Sequence, residues 1–109
     1  MFGFKKNTAP EMNSEAAAEF WSWFEEKEAW IIECLSESDA GFVYALDEKL
    51  KPVFPYVRRE LEFQLGYSDG QGECFFFHFG DGKLEADAEK LAEMMPAGLS
   101  ERWKFIAEI

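Results

Sequence analysis

The sequence predicts an α+β domain in the order ααββαβ, with a three-stranded, mostly antiparallel sheet (order 2-1-3) and its helices packed on one face. Three observations carry this. Apolar residues recur with a helical period in three stretches, around Ala17–Leu35, Phe42–Leu50 and Leu84–Met95. The period drops to two where Leu61, Phe63 and Leu65 alternate with Glu60, Glu62 and Gln64. A cluster of turn formers, Ser68-Asp69-Gly70-Gln71-Gly72, then separates that run from the apolar run Cys74–Phe79, which makes a β-hairpin.

Residues 1–13 contain Asn7, Pro10 and Asn13 and read as a flexible leader to a single domain over residues 14–109. Ser14 is the expected N-cap of the first helix, followed by Glu15 and three alanines that suit a first turn. Ala17, Phe20, Phe24, Ile31 and Leu35 form its apolar stripe, with Trp23, Trp30 and Cys34 flanking it. Glu25, Glu26, Glu28 and Glu33 take the other side. Trp21 lies off the stripe, so it covers a neighbouring element or is partly exposed.

Ser38 or Asp39 caps a second helix with the stripe Phe42, Val43, Leu46 and Leu50, ended by Pro52 and Pro55. After the hairpin, Gly80-Asp81-Gly82 turns the chain into a third helix, with Leu84, Ala88, Leu91, Ala92 and Met95 inward and Pro96 and Gly98 as its stop. In the closing stretch Trp103, Phe105 and Ala107 alternate with Lys104, Ile106 and Glu108, a third strand. A strand–helix–strand connection runs that strand parallel to the second. Skipping over one strand places it beside the first, which is the arrangement expected here.

Composition narrows the function. Acids outnumber bases by 22 to 11, a net charge of −11, which excludes the basic footprint a nucleic-acid binder needs and opposes an anionic membrane surface. It favours a basic partner. No apolar run approaches the ~18 residues of a membrane span. Met1 to Phe4 is too short for the apolar part of an export signal, so Cys34 and Cys74 are expected as free thiols in a reducing cytoplasm. Aromatic residues reach 17%, more than a core of this size accommodates, so some rings belong to a second core or to a surface that another molecule covers.

The motifs also resemble a known group. Phe20-Trp21-x-Trp23-Phe24 opening an acidic helix, a Leu61-Glu62-Phe63 strand, an apolar strand running into Gly80-Asp81-Gly82 and a closing Trp103-Lys104-Phe105-Ile106-Ala107 strand occur in that order over residues 20–107. In this the chain is similar to a group of small uncharacterised bacterial proteins with an N-terminal FWxWF helix and a C-terminal W-K-x-I-A strand. The resemblance implies the fold and a bacterial cytosolic origin, and it implies no site. Members often continue with Phe-Arg where this chain has Glu108-Ile109, so no role for that arginine carries over.

Catalytic and metal constellations fail on spacing. Cys74 and His78, the only histidine, would share a strand face about 13 Å apart at ~3.3 Å per residue, too far to share a proton or a metal. Glu60 and Glu62 share a face at roughly 6.6 Å by the same rise, which suits a carboxylate pair for glycoside hydrolysis but equally a solvent-facing strand. Asp69, Gln71 and Glu73 start like a calcium loop, which then lacks its glycine and closing glutamate. Gly80-x-Gly82 lacks the third glycine and the lysine of a phosphate loop. Arg58-Arg59 pairs with local acids such as Glu60. No cofactor or metal is expected.

The expectation is thus a non-catalytic protein-interaction module, binding a protein partner or its own copy. Trp21, Trp23, Trp30, Phe75 and Phe77 are the candidate binding residues, because Trp-rich clusters serve cores and interface hot spots alike. An acidic inhibitor or immunity-type protein blocking a basic partner, and a small carboxylate-using hydrolase, are the alternatives.

Overall fold

The computed structural model describes residues 11–109. The elements run α1 (Ser14–Ser36), α2 (Gly41–Leu50), a 3-10 turn (Lys51–Val53), β1 (Glu62–Ser68), β2 (Gln71–Phe77), α3 (Gly82–Glu93), the short α4 (Ala97–Ser100) and β3 (Trp103–Glu108). Residues 1–10 of the expected leader lie outside the described residues. Its last residues are tied down: Met12 packs against the core, and the Asn13 N–H donates to the Val53 carbonyl at 2.9 Å. Asn13, one residue before the expected Ser14, caps α1, its side chain accepting from the Ala16 N–H at 3.0 Å.

The hairpin is tighter than the turn-former cluster suggests. Ser68 pairs with Gln71, so only Asp69 and Gly70 form the turn. Their φ values of 54° and 77° are the two positive angles of a type I′ turn, which Asp-Gly is built to adopt. Gln71 and Gly72 therefore belong to β2. At its other end β2 stops at Phe77. Phe79 and Gly80 take positive φ, and Asp81 caps α3 by accepting from the Lys83 and Leu84 N–H groups.

The strand order is β1-β2-β3, not 2-1-3, and the sheet is mixed: β2 pairs antiparallel with β1 and parallel with β3. The sequence explains the choice in retrospect. A central strand is bonded on both edges and suits a near-continuous apolar run, which β2 has over Cys74–Phe77. β1, with a polar residue at every second position, is suited to an edge. Gly72 adds a steric reason. It pairs with Trp103, and the indole lies so close that a Cβ on residue 72 would meet it at 2.4 Å. Only a glycine lets β3 carry its tryptophan beside β2 at that point.

The inner face of the sheet carries Phe63, Leu65 and Tyr67 from β1, Cys74 and Phe76 from β2, and Trp103 and Phe105 from β3. Helix α1 crosses this face. Phe24 meets Trp103 edge-on at 4.9 Å and Trp21 meets Phe105 edge-on at 5.8 Å. Phe54, just after the 3-10 turn, stacks on Phe76 at 5.1 Å. Offset and edge-to-face contacts of this kind add to the area buried. Helix α3 packs near β3 through Leu84, Ala88 and Leu91.

Candidate functional site

The five candidate residues separate into three environments. Trp21 is only 3% exposed and belongs to the core. Its indole N–H donates at 2.9 Å to the Leu91 carbonyl in the last turn of α3, which also accepts from the Met94 N–H of the C-cap at 3.1 Å. It covers a neighbouring element, as its position off the stripe suggests, and offers no surface to a partner. Trp23 is half-buried, and Trp30, seven residues on and on the same side of α1, is exposed. Phe75 and Phe77 are half-buried on the outer face of β2. Because α1 lies against the inner face, Trp30 and the Phe75–Phe77 pair are on opposite sides of the sheet.

The register defines the outer face row by row. Phe75 stands between Gln64 of β1 and Ile106 of β3; Phe77 stands between Glu62 and Glu108; Glu73 stands between Gly66 and Lys104. Phe79, beyond the strand, continues the aromatic line with its ring 6.5 Å from Phe77, and the Arg59 guanidinium sits 4.9 Å over that ring. The result is a strip of Phe75, Phe77 and Ile106 with a carboxylate on each side of Phe77. Cation–π contact holds Arg59 on Phe79, at one end of the strip.

The thiols and the histidine are placed for structure. Cys34 and Cys74 are buried free thiols. Burial pushes Cys74 up to about 12, and burial followed by the Asp39 charge raises Cys34, so neither is a ready nucleophile. His78 is buried where the chain leaves β2. Its Nδ1 accepts from the Gly80 N–H at 3.1 Å, its backbone N–H donates to the Glu108 carbonyl and its carbonyl accepts from the Asp81 N–H. It organises the turn into α3. Among the described residues no group of three or more His, Cys, Asp or Glu is gathered as a metal site. Glu60 and Glu62 are both exposed, on the rim of a shallow depression of ≈ 190 Å³. Acid–base catalysis by a carboxylate pair relies on burial or like charge to hold a proton near neutral pH, and exposure supplies no burial.

Two polar clusters went unnoticed in the sequence. Asp87 is 1% exposed and accepts from the Tyr56 hydroxyl at 2.5 Å and from the Lys83 ammonium at 3.3 Å, with Lys90 at 4.0 Å. Burial, then the hydrogen bond to Asp87 and the charge it carries, holds the Tyr56 phenol above its ordinary range. The signal was there: Asp87 falls between Leu84 and Leu91 on the apolar stripe of α3, where an acid must be paired. Glu28 likewise left the solvent side assigned to it. It takes both Arg102 Nε and Nη2, at 2.8 and 2.9 Å, and the Trp103 indole N–H at 3.0 Å. The Arg102 hydrogen bond, chiefly, lowers the Glu28 carboxyl below its usual range. This contact spans over seventy residues of sequence, and no local pattern announces it.

Among the described residues no helix is long and apolar enough to cross a membrane. No family model, curated protein or solved structure matches the chain.

Proposed function

We propose that this protein is a non-catalytic protein-interaction module of a bacterial cytosol, docking a protein partner through the outer face of its sheet. The observation that supports the reading is the strip Phe75–Phe77–Ile106: large apolar side chains in the middle of a sheet, only half-buried, on the face opposite the helices. Apolar patches rimmed by polar groups mark interaction surfaces. Glu62 and Glu108 beside Phe77 favour a partner that presents an apolar side chain flanked by lysine or arginine. The FWxWF helix and the W-K-x-I-A strand support placing the chain with the bacterial group it resembles.

The test is affinity capture at low and high salt with the wild type, Phe75→Ser and Phe77→Ser, each checked for folding by near-UV circular dichroism. One stoichiometric protein retained by the wild type and lost by both variants is the expected result. Equal retention by folded variants overturns the docking strip. The charge of −11 favours a second reading, an acidic inhibitor of a basic protein. Capture that survives the Phe substitutions but is released by salt identifies that reading, because exposed charges are screened and apolar contacts are not.

A further inference from the structure

We infer that the free edge of β1 is a second, independent docking site, one that takes an extended basic–apolar segment of another protein by strand addition. Among the described residues β1 is an outer strand of the sheet, and its only strand partner is β2. Among the described residues, no loop or helix hydrogen-bonds to the backbone of residues 62–68. The edge runs through seven residues, Glu-Phe-Gln-Leu-Gly-Tyr-Ser, with no proline or lysine to blunt it.

A groove lies alongside. An open depression of ≈ 280 Å³ is lined by Leu35, Phe42, Val43, Phe63 and Leu65, between β1 and the junction of α1 with α2. The ≈ 190 Å³ depression near Leu61 shares Val43 and Phe63 with it, so the two adjoin, and together they are called the channel. An added strand points alternate side chains to one face, and here that face is the channel. Main-chain bonds to β1 supply affinity and the depressions select apolar residues at every second position.

Charge selects the occupant. Asp39, Asp47, Glu60 and Glu62 line the channel, Asp47 already paired with Lys51 at 3.4 Å, and neither depression has a lysine or arginine in its wall. A second copy carries the same net charge of −11, and its β1 edge, Glu-Phe-Gln-Leu-Gly-Tyr-Ser, offers no lysine or arginine to these acids, so edge-to-edge self-pairing is disfavoured. A strand alternating lysine with leucine or valine places apolar residues in the channel and its lysines on the opposite face, on the side of Glu62.

The probe is the peptide acetyl-Lys-Leu-Lys-Val-Lys-Leu-Lys-amide, titrated into the protein and followed by amide shifts in NMR. Two analogues accompany it, N-methylated at the Leu and Val positions or at the lysines, since only one of these sets faces the β1 backbone. The expected result is shifts concentrated at residues 61–66 and around Val43. One N-methylated analogue should bind at least ten-fold more weakly while the other is little changed. Val43→Glu, at an exposed helical position, should also weaken binding about ten-fold, and Phe77→Ser should not. Binding indifferent to both N-methylations, or to Val43→Glu, overturns strand addition. Shifts centred on Phe75 and Phe77 assign the peptide to the outer face instead. No shift at millimolar peptide, or self-association that Val43→Glu abolishes, overturns the basic partner. Phe77→Ser separates this site from the outer-face reading, which stands or falls by its own variants.

Discussion

The two faces of one strand set the terms for this molecule. Along β2, Cys74 and Phe76 point inward and are buried, the Phe76 ring stacked on rings from β3 and from the segment after the 3-10 turn. Phe75 and Phe77 are of the same residue type, bonded into the same ladder, and stand half-open among Gln64, Glu62, Glu108 and Ile106. Sequence cannot separate Phe76 from its neighbours by chemistry. What separates them is which face the helices cover. Burial alone divides identical side chains into one set that holds the fold and one left half-exposed.

The sharpest way to break this comparison is to truncate each side in turn. Phe76→Ala should cost about 3–5 kcal/mol, the loss of a fully buried ring and the cavity left behind. Phe77→Ala should cost no more than about 1 kcal/mol, since a partly exposed side chain loses little on removal. Urea unfolding of the pair measures the difference directly, and equal costs would mean that the outer face is covered.

The glycines sharpen the same contrast. Gly72→Ala drives a methyl into the Trp103 ring, and should cost about 1–3 kcal/mol by overpacking. Gly66→Ala on the outer face meets nothing within 4 Å and should be neutral or slightly stabilising, by up to about 0.5 kcal/mol. Thermal unfolding of the two variants distinguishes them.

The inner layer is also closed by polar clasps, for which the outer face has no equivalent among the described residues. Tyr56→Phe removes one bond to the buried Asp87, which keeps Lys83, and should cost about 1.5 kcal/mol, the lower end for hydrogen bonds to charged groups. Because folding raises the Tyr56 phenol, the wild type's advantage is whole below about pH 10, the ordinary tyrosine value, and is lost as pH rises beyond it. Stability of wild type and variant measured from pH 7 to 11 checks this.

Of the two clasps Glu28→Gln is the milder change, about 1 kcal/mol, since the amide oxygen still accepts from Trp103 and the half-exposed Arg102 end is screened by solvent. Folding lowers this carboxyl, so its contribution is present above the ordinary carboxylate range and disappears as pH falls through the folded value. The gap between wild type and Glu28→Gln should close in acid.

Much of the fold is readable in the order of residues. Periodicity places the three long helices and the closing strand, and the alternation Trp103–Ala107 correctly divides the two faces of β3. The boundaries that shifted did so for local reasons. Asp69-Gly70 forms a complete turn on its own, which releases Gln71 and Gly72 to the strand. Asn13 reaches the Ala16 amide and takes the cap from Ser14. The half-exposed position of Phe75 and Phe77 is legible from a strand apolar on both sides. Trp21, off the stripe of α1, leaves covered and exposed open, and it is buried, its indole reaching a carbonyl seventy residues away.

By itself, then, the sequence determined which stretches are helix or strand, that β2 carries too much apolar surface for one face, and that the chain's surface is strongly acidic. Those are consequences of short-range spacing and of composition. Tertiary structure alone decided that β2 is central, that Trp103 lies over Gly72, that Glu28 and Asp87 are paired acids, and that among the described residues β1 pairs along one edge only. Each of these depends on contacts between residues far apart in the chain, where the competition for hydrogen bonds and buried area is settled only when the whole domain packs.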